Sequence, residues 1–378
     1  ARPDGDGYAE SATSDVGETD TINRTLFYST KFQADPDTAG DWTQYTTQPA
    51  ANATFATAKA ALLAGLNDTD ATAETRGTLP LSLKMVRTVG AAVDLLLDTY
   101  TGAAAAYSVR KLDKDYTGSC MRVREDSGDT ETDIGFDGSG NLDTSAIATH
   151  CGSANGYVVT WYDQSGNSNN ATQSTAGNQP QIYNGTAVIT KGGKPSLSFD
   201  GSGDNLQYAG NFLGGSAATG VSVSSFDNAT RTAREIMWGA QDLSGARYDF
   251  LITRQASNAG SGTTQNGIDI YVEGDFAPAN NPNVGTITDT NQHLYTAIYS
   301  NNVRRIVYNN GSTLTTSTAN SLGNLDDATA FVIGADLNGG LNSIDGQIQE
   351  VVIWNSDQEA ATNRTGIESD ISTYYSIT

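Results

Sequence analysis

Cysteine, histidine, proline and basic residues are all scarce in this chain, and each scarcity closes a route. The only cysteines, Cys120 and Cys151, are too few for a disulfide scaffold or a cysteine zinc cluster. They allow one bridge, closing a loop of about thirty residues and worth roughly 3 kcal/mol if formed. His150 and His293 sit in "ATHCG" and "NQHLY", with neither a spaced ligand set nor a Ser-His-Asp order, so zinc and triad chemistry are not expected. No apolar run approaches the roughly 20 residues that cross a bilayer, and "ARPDGDGYAESATSD" has no hydrophobic signal core. The sequence therefore reads as a soluble chain without membrane insertion. Basic side chains number 21 against 43 acidic ones, a formal charge of -22, which repels nucleic acid and anionic membranes. The expected partner is neutral, a carbohydrate or another protein.

Against eight prolines stand 40 glycines and 17 tyrosines, with abundant Thr, Ser and Asn. That composition favours many short strands joined by tight turns. Residues 1 to about 22 carry hardly any apolar side chain and read as an extended arm. "TLFYSTKFQADPDTAGDWTQY" reads as a hairpin around its D-P-D-T-A-G-D turn, and "NATFATAKAALLAGLND" as a helix over about 53–66. "LPLSLKMVRTV" alternates as a strand, whereas "AAVDLLLDTYTGAAAAYSV" returns to a helical period, with Val93, Leu96, Leu97 and Ala103 to Ala106 on one face. These pieces form an N-terminal region, 1–104, suited to attachment or oligomerisation. From 105 to 378 the texture is strands and turns. Fourteen short strand candidates at even spacing fit two packed antiparallel sheets, "RIVYNNGSTLT" being the clearest hairpin. The final segment reads as a helix opening near Ser356, with Ile367 and Ile371 on its inner face. The expected fold class is mainly β, an antiparallel sandwich with a smaller mixed N-terminal region and a short C-terminal helix.

Several constellations carry candidate chemistry. In "DGSGNLD", Asp137, Ser139, Asn141 and Asp143 alternate like the start of a calcium loop, but the later Glu ligand is missing, which favours a plain turn. No other cofactor is expected. Trp161, Tyr162, Trp238, Tyr248 and Tyr271 are candidate sugar platforms, although aromatics in sandwiches are more often core. Alternation along "YVVTWYD" puts Trp161 and Tyr162 on opposite faces, so one of the two is expected in the core. In the following turn, "TWYDQSGN", Asp163 is expected to bond the turn's own backbone.

The stretches "VVTWYDQSGNSNNATQSTAGNQPQIY" and "KGGKPSLSFDGSGDNLQY" carry a W-x-D-Q-S-G-N turn, A-x-Q, Q-P, G-x-P and F-D-G-x-x-D-x-L in that order. This series resembles concanavalin A-like, laminin-G-like sandwiches, and "FVIGADLNGGLNSIDGQIQEVVIW" is similar to their last two strands. Upstream, "AAYSVRKLDKDYTGSCMRVRED" and the D-I-G and L-D that follow resemble the opening of B-type α-L-arabinofuranosidase catalytic domains. The same opening is similar to tail, fibre and capsid-associated proteins of marine bacteriophages. The arabinofuranosidase resemblance implies a nucleophile at Asp242, in "WGAQD" where that family has Y-G-N-A-Glu, and an acid/base at Asp336, in "GAD" where it has G-G-D. The adjacent cysteines of that family are absent here, and Asp242 is one methylene shorter than Glu. Trp238, Asp242 and Asp336 are therefore the candidate carbohydrate-binding residues.

These departures, the acidic charge and the phage-like opening lead to a first expectation. The chain reads as a bacteriophage virion structural protein, a fibre, tail or capsid-decorating subunit without catalytic residues. It would be homo-oligomeric, contact other virion proteins and bind host or environmental glycans. The alternative is a secreted, arabinofuranosidase-like retaining hydrolase using Asp242 and Asp336.

Overall fold

The computed structural model describes residues 94–377 apart from 230–232, 243–246, 256–265, 273–283, 301–302, 309–312, 319–322 and 337–341, and before them the strands 22–29, 43–44 and 82–89. The chain divides into two compact units, Ala1–Val93 and Asp94–Thr378. In the first, β1 (Ile22–Ser29) lies between β2 (Thr43–Gln44) and β3 (Ser82–Val89), antiparallel to both. The hairpin and the "LPLSLKMVRTV" strand are thus formed as the alternation predicts. The expected arm and the helix over 53–66 lie outside the described residues.

The second unit opens with α1 (Leu96–Thr99), followed by β4 (Ala103–Ser108), β5 (Met121–Glu125), β6 (Glu131–Ile134), α2 (Thr144–Cys151), β7 (Asn155–Trp161) and β8 (Ala171–Thr172). Next come β9 (Gln181–Asn184), β10 (Thr190–Lys191), β11 (Lys194–Pro195), β12 (Leu197–Asp200), β13 (Leu206–Tyr208), β14 (Ala217–Phe226), β15 (Glu235–Asp242) and β16 (Arg247–Arg254). The rest are β17 (Gly267–Val272), β18 (Val284–Thr286), β19 (His293–Ser300), β20 (Val303–Tyr308), β21 (Thr313–Thr318), β22 (Ala330–Ile333), β23 (Asp345–Trp354) and α3 (Arg364–Tyr375). β23 and β14 form the spine of one layer, with β12 and β4 beside β23 and β19, β20 and β21 beyond β14. The other layer runs from β6 through β5, β7, β8, β13, β22, β15 and β16 to β17. All these ladders are antiparallel, and they join edge to edge, so the sheet curls round on itself.

The layers are locked by large aromatics that alternation sends inward. Tyr107 of β4 lies 5.9 Å from Trp161 and 6.3 Å from Phe331, and Trp238 packs on Phe250 and Phe331. Burying each such side chain stabilises by roughly 1.5–3 kcal/mol. At Gly220 of β14 the opposite layer comes so close that a Cβ would overlap the Trp238 indole.

The helical period over 93–106 is overruled after one turn. Gly102 adopts φ +78°, and Ala103 to Ala106 enter β4, paired with the last residues of β23. A run of alanines has no side chain that opposes a strand, so pairing with a buried neighbour decides. The C-terminal helix also starts later than expected. Asp357 accepts the Glu359 and Ala360 N–H groups, closing a turn before Arg364, while Ile367, Ile371 and Tyr375 are buried as the spacing predicts.

The bridge between Cys120 and Cys151 is not formed, and both thiols are free and buried. Cys120 precedes β5, whereas Cys151 packs against Gly156, which pairs with Glu125 at the far end of that strand. Five residues of strand span roughly 16 Å, beyond the roughly 7 Å that two bridged Cα atoms allow.

Candidate functional site

The "TWYDQSGN" turn proves to be architectural. Trp161 is fully buried, while Tyr162 is half-buried and donates to Asp133 at 2.7 Å. Asp163 accepts the Ser165 and Asn169 N–H groups of its own turn and, beyond expectation, the Ala106 N–H of β4 at 2.8 Å. Gln164 accepts from Leu112 N–H and donates to the Ser108 and Arg110 carbonyls. A carboxylate and an amide thus fasten this loop to the edge strand, which accounts for every polar group that made the stretch look reactive.

The calcium-like loop is spent similarly. Asp137 accepts from Ser139 N–H and Asn141 N–H, Asn141 accepts the Tyr374 hydroxyl, and Asp143 caps α2 through Ala146 N–H. Among the described residues no three His, Cys, Asp or Glu side chains are grouped as metal ligands.

The sequence-matched carboxylates lie around β15. The face of β15, β16 and β17 turned away from the main core carries its own apolar cluster, Ile236, Tyr248, Leu251 and Tyr271. Asp336 follows β22 through Gly334, whose φ of +94° turns the chain. The segment is then stitched to β15: Gly334 N–H donates to Met237 O, Gln241 Nε2 donates to Ala335 O at 3.4 Å, and Ile236 N–H donates to Asn342 O at 3.0 Å. Asn342 Nδ2 donates to Asp336 Oδ2 at 2.5 Å. Asp336 is only 5% exposed, and its Oδ1 is buried with no hydrogen-bond partner among the described residues. An unengaged buried carboxylate oxygen is costly and rare outside functional sites.

Asp336 is felt by Tyr248, whose phenol is pushed above its ordinary value by burial first and by Asp336 second, with Arg234 easing it back. Arg234 also donates to the Tyr271 hydroxyl at 3.0 Å, and Gln255 donates to the same oxygen at 2.7 Å. Asp242 ends β15, one residue after Gln241, so the Gln241–Ala335 bond ties together the segments that carry Asp242 and Asp336. The Asp242 carboxylate interacts with Asp249, whose carboxyl is pushed up to about 6, by burial first, with the Ala328 N–H opposing the rise and the charges of Asp327 and Asp242 adding to it.

Trp238 does not join them. It is fully buried between the layers, so it offers no face to a sugar and its assignment as a carbohydrate-binding residue is corrected. The position three residues after Glu235 follows the inward alternation of β15 and not the chemistry of its end. Tyr248 and Tyr271 are also buried, though on the site's side. Asn342 and Asp249 carry no sequence signal of their role, since Asn342 reaches Asp336 only through the pairing of its segment with Ile236.

Comparison with known proteins now bears on this geometry. Residues 93–196 match the family model for the catalytic domain of α-L-arabinofuranosidase B. Among solved structures, a GH54 α-L-arabinofuranosidase soaked with a cyclic sulfate inhibitor aligns at 20% identity and TM-score 0.56, covering 73% of this chain and 64% of that one. An arabinofuranosidase complexed with arabinofuranosyl-α-1,2-xylobiose aligns with the same values. A point mutant of the GH54 enzyme soaked with 4-nitrophenyl α-L-arabinofuranoside aligns at 18% identity and TM-score 0.58. At such identities the likeness is one of fold, and the chain spans 64% of the length of these structures. A comparison with curated proteins finds no match.

These findings overturn the expectation of a bacteriophage virion subunit. The opening that resembled both classes falls inside the segment matched by the arabinofuranosidase family, and nothing found supports a fibre, tail or capsid role. The phage-like opening misled because what it shows of itself is architectural: Ala106 is fastened by Asp163, and the Ser108 carbonyl accepts from Cys120, Trp161 and Gln164.

Proposed function

We propose that this chain is a glycoside hydrolase that releases α-L-arabinofuranosyl units from neutral glycans outside the cell. Asp336 is its acid/base and Asp242 its nucleophile. The observation that carries the reading is the buried, unengaged Oδ1 of Asp336 on a sandwich similar to arabinofuranosidases. One oxygen is held by Asn342 and the other has no partner among the described residues, which leaves it free to carry the proton an acid/base gives and takes back.

In a retaining reaction the acid protonates the leaving oxygen while the second carboxylate attacks the anomeric carbon. The sugar is then carried as an ester on Asp242, and Asp336, now a base, deprotonates the water that releases it. Asp242 reaches less far than a Glu would, by roughly 1.5 Å, and a displacement of that order lowers rates about a hundredfold unless the backbone compensates. Slow turnover is therefore expected.

Hydrolysis of 4-nitrophenyl α-L-arabinofuranoside tests this directly. The wild type releases nitrophenol, and Asp336→Asn and Asp242→Asn each lower kcat by roughly 10²–10⁴. No release by the wild type, or full activity in both variants, ends the proposal.

A further inference from the structure

A concavity of about 440 Å³ lies in the other part of the same unit, lined by Arg124, Asp126, Tyr157, Gln179, Gln181, Asp200 and Asp204 among others. Its walls come from β5, β7, β9 and β12 and from the "FDGSGD" turn, so the fold and not one loop builds it. Nothing in the chemistry at Asp336 uses these residues.

The most telling member is Asp204. It is 6% exposed, its Oδ2 accepts the Asp200 N–H at 3.0 Å, and among the described residues no group donates to its Oδ1. Burial first, then the neighbouring Asp200, push its carboxyl up to about 7. A carboxyl so enclosed has an oxygen that only a guest or solvent in the pocket can satisfy. The surrounding groups are already oriented. Arg124 Nε donates to Gln179 Oε1 at 2.8 Å, Gln179 Nε2 donates to Gln173 O, and Gln181 Nε2 donates to Tyr183 O. The Arg124 guanidinium also sits 5.2 Å from the centre of the Tyr157 ring.

We infer that this pocket is a second carbohydrate site, taking one sugar unit of a neutral oligosaccharide. Its size suits a small ligand. Carboxylates accept hydroxyls, the Gln179 and Gln181 amides and Arg124 satisfy ring and hydroxyl oxygens, and the half-buried Tyr157 gives an apolar wall for C–H groups. Anionic sugars are disfavoured, since Asp126, Asp200 and Asp204 face one Arg124 that Asp129 already pairs at 2.6 Å. A metal ion is a poorer occupant, because among the described residues no three acidic or imidazole groups converge. The Asp204 carbonyl also abuts Gly334, two residues before Asp336, so the backbone of the pocket's turn is packed on the segment that carries the acid/base.

The test is calorimetric titration of the Asp336→Asn variant of this 378-residue chain with xylotriose, using trigalacturonate and spermidine as anionic and cationic probes. Xylotriose is expected to bind and trigalacturonate not to, and Gln181→Ala or Tyr157→Ala should weaken xylotriose by roughly tenfold, the loss of one good contact. Gln181 is partly exposed and bonds one carbonyl, so its variant keeps the fold even if removal of Tyr157 disturbs Arg124. Absence of xylotriose binding, binding of spermidine alone, or binding indifferent to both variants overturns the inference. If the wild type fails to hydrolyse the nitrophenyl arabinofuranoside yet binds xylotriose in a Gln181-dependent way, the hydrolase reading falls and the pocket stands.

Discussion

Replacing Gly334 with alanine should cost both stability and activity, and the structure indicates how much. At φ +94° an L side chain is strained, by roughly 1–2 kcal/mol. The added methyl would also overlap the Phe199 ring and come within 3.1 Å of the Asp204 carbonyl oxygen, and forced packing of this kind costs about 1–3 kcal/mol. Together the loss is roughly 2–5 kcal/mol, or about 3–8 °C in Tm for a unit of this size. The turn can relieve the strain only by moving, and Asp336 lies two residues on. A shift of about 1 Å there lowers the rate roughly a hundredfold. Thermal unfolding followed by circular dichroism and kcat on the nitrophenyl arabinofuranoside measure the two effects. Phe199→Leu in the same chain relieves the steric part but not the backbone part, so the double variant should lose less than the sum of the singles. A Gly334→Ala protein with unchanged Tm and rate refutes the reasoning, and strict additivity would show that Phe199 is not the obstacle.

Two further outcomes follow from the buried charges. Arg110, 7% exposed, holds fully buried Glu350 through Nε at 2.9 Å and Nη2 at 3.1 Å, and reaches Asp370 of α3 at 2.7 Å; Ser108 and Tyr375 donate to the same Glu350. Glu350→Ala should cost roughly 3–5 kcal/mol in chemical denaturation, and Arg110→Met with Glu350→Leu far less, because breaking a buried pair strands a charge while replacing both does not. Asp204 and Asp249, pushed up to about 7 and about 6 from an ordinary 3.8, give a pH dependence of definite sign. Between about pH 4 and 7 the folded chain holds protons that the unfolded chain has released, so stability falls as pH rises through this window and levels off above it. After allowance for solvent reaching both groups, the change is on the order of 1–2 kcal/mol. Denaturant midpoints across that range measure it, and the slope should diminish in Asp204→Asn.

How much of this could be read in the residues depends on whether a signal is local. Strand alternation is local: it put Trp161 and Tyr162 on opposite faces with one of them in the core, and a helical spacing put Ile367 and Ile371 on the buried face of α3. The Asp163 turn was legible for the same reason, since Asx bonding is set within a few residues. The fold class followed from many such signals agreeing.

What failed was whatever depended on the neighbour across the sheet. Ala103 to Ala106 suited a helix by propensity and became a strand because β23 was there to pair with them. Trp238 was indistinguishable from a sugar platform until the β14 backbone was found against it. Asn342 became a partner of Asp336, and Asp204 the wall of a pocket, only when ladders joined segments far apart in the chain. Sequence by itself determined the alternation, the turns and the charge, because these rest on bonds and periods of a few residues. The tertiary structure alone decided which polar groups are buried without a partner, because burial belongs to the packed layers and to no single stretch of chain.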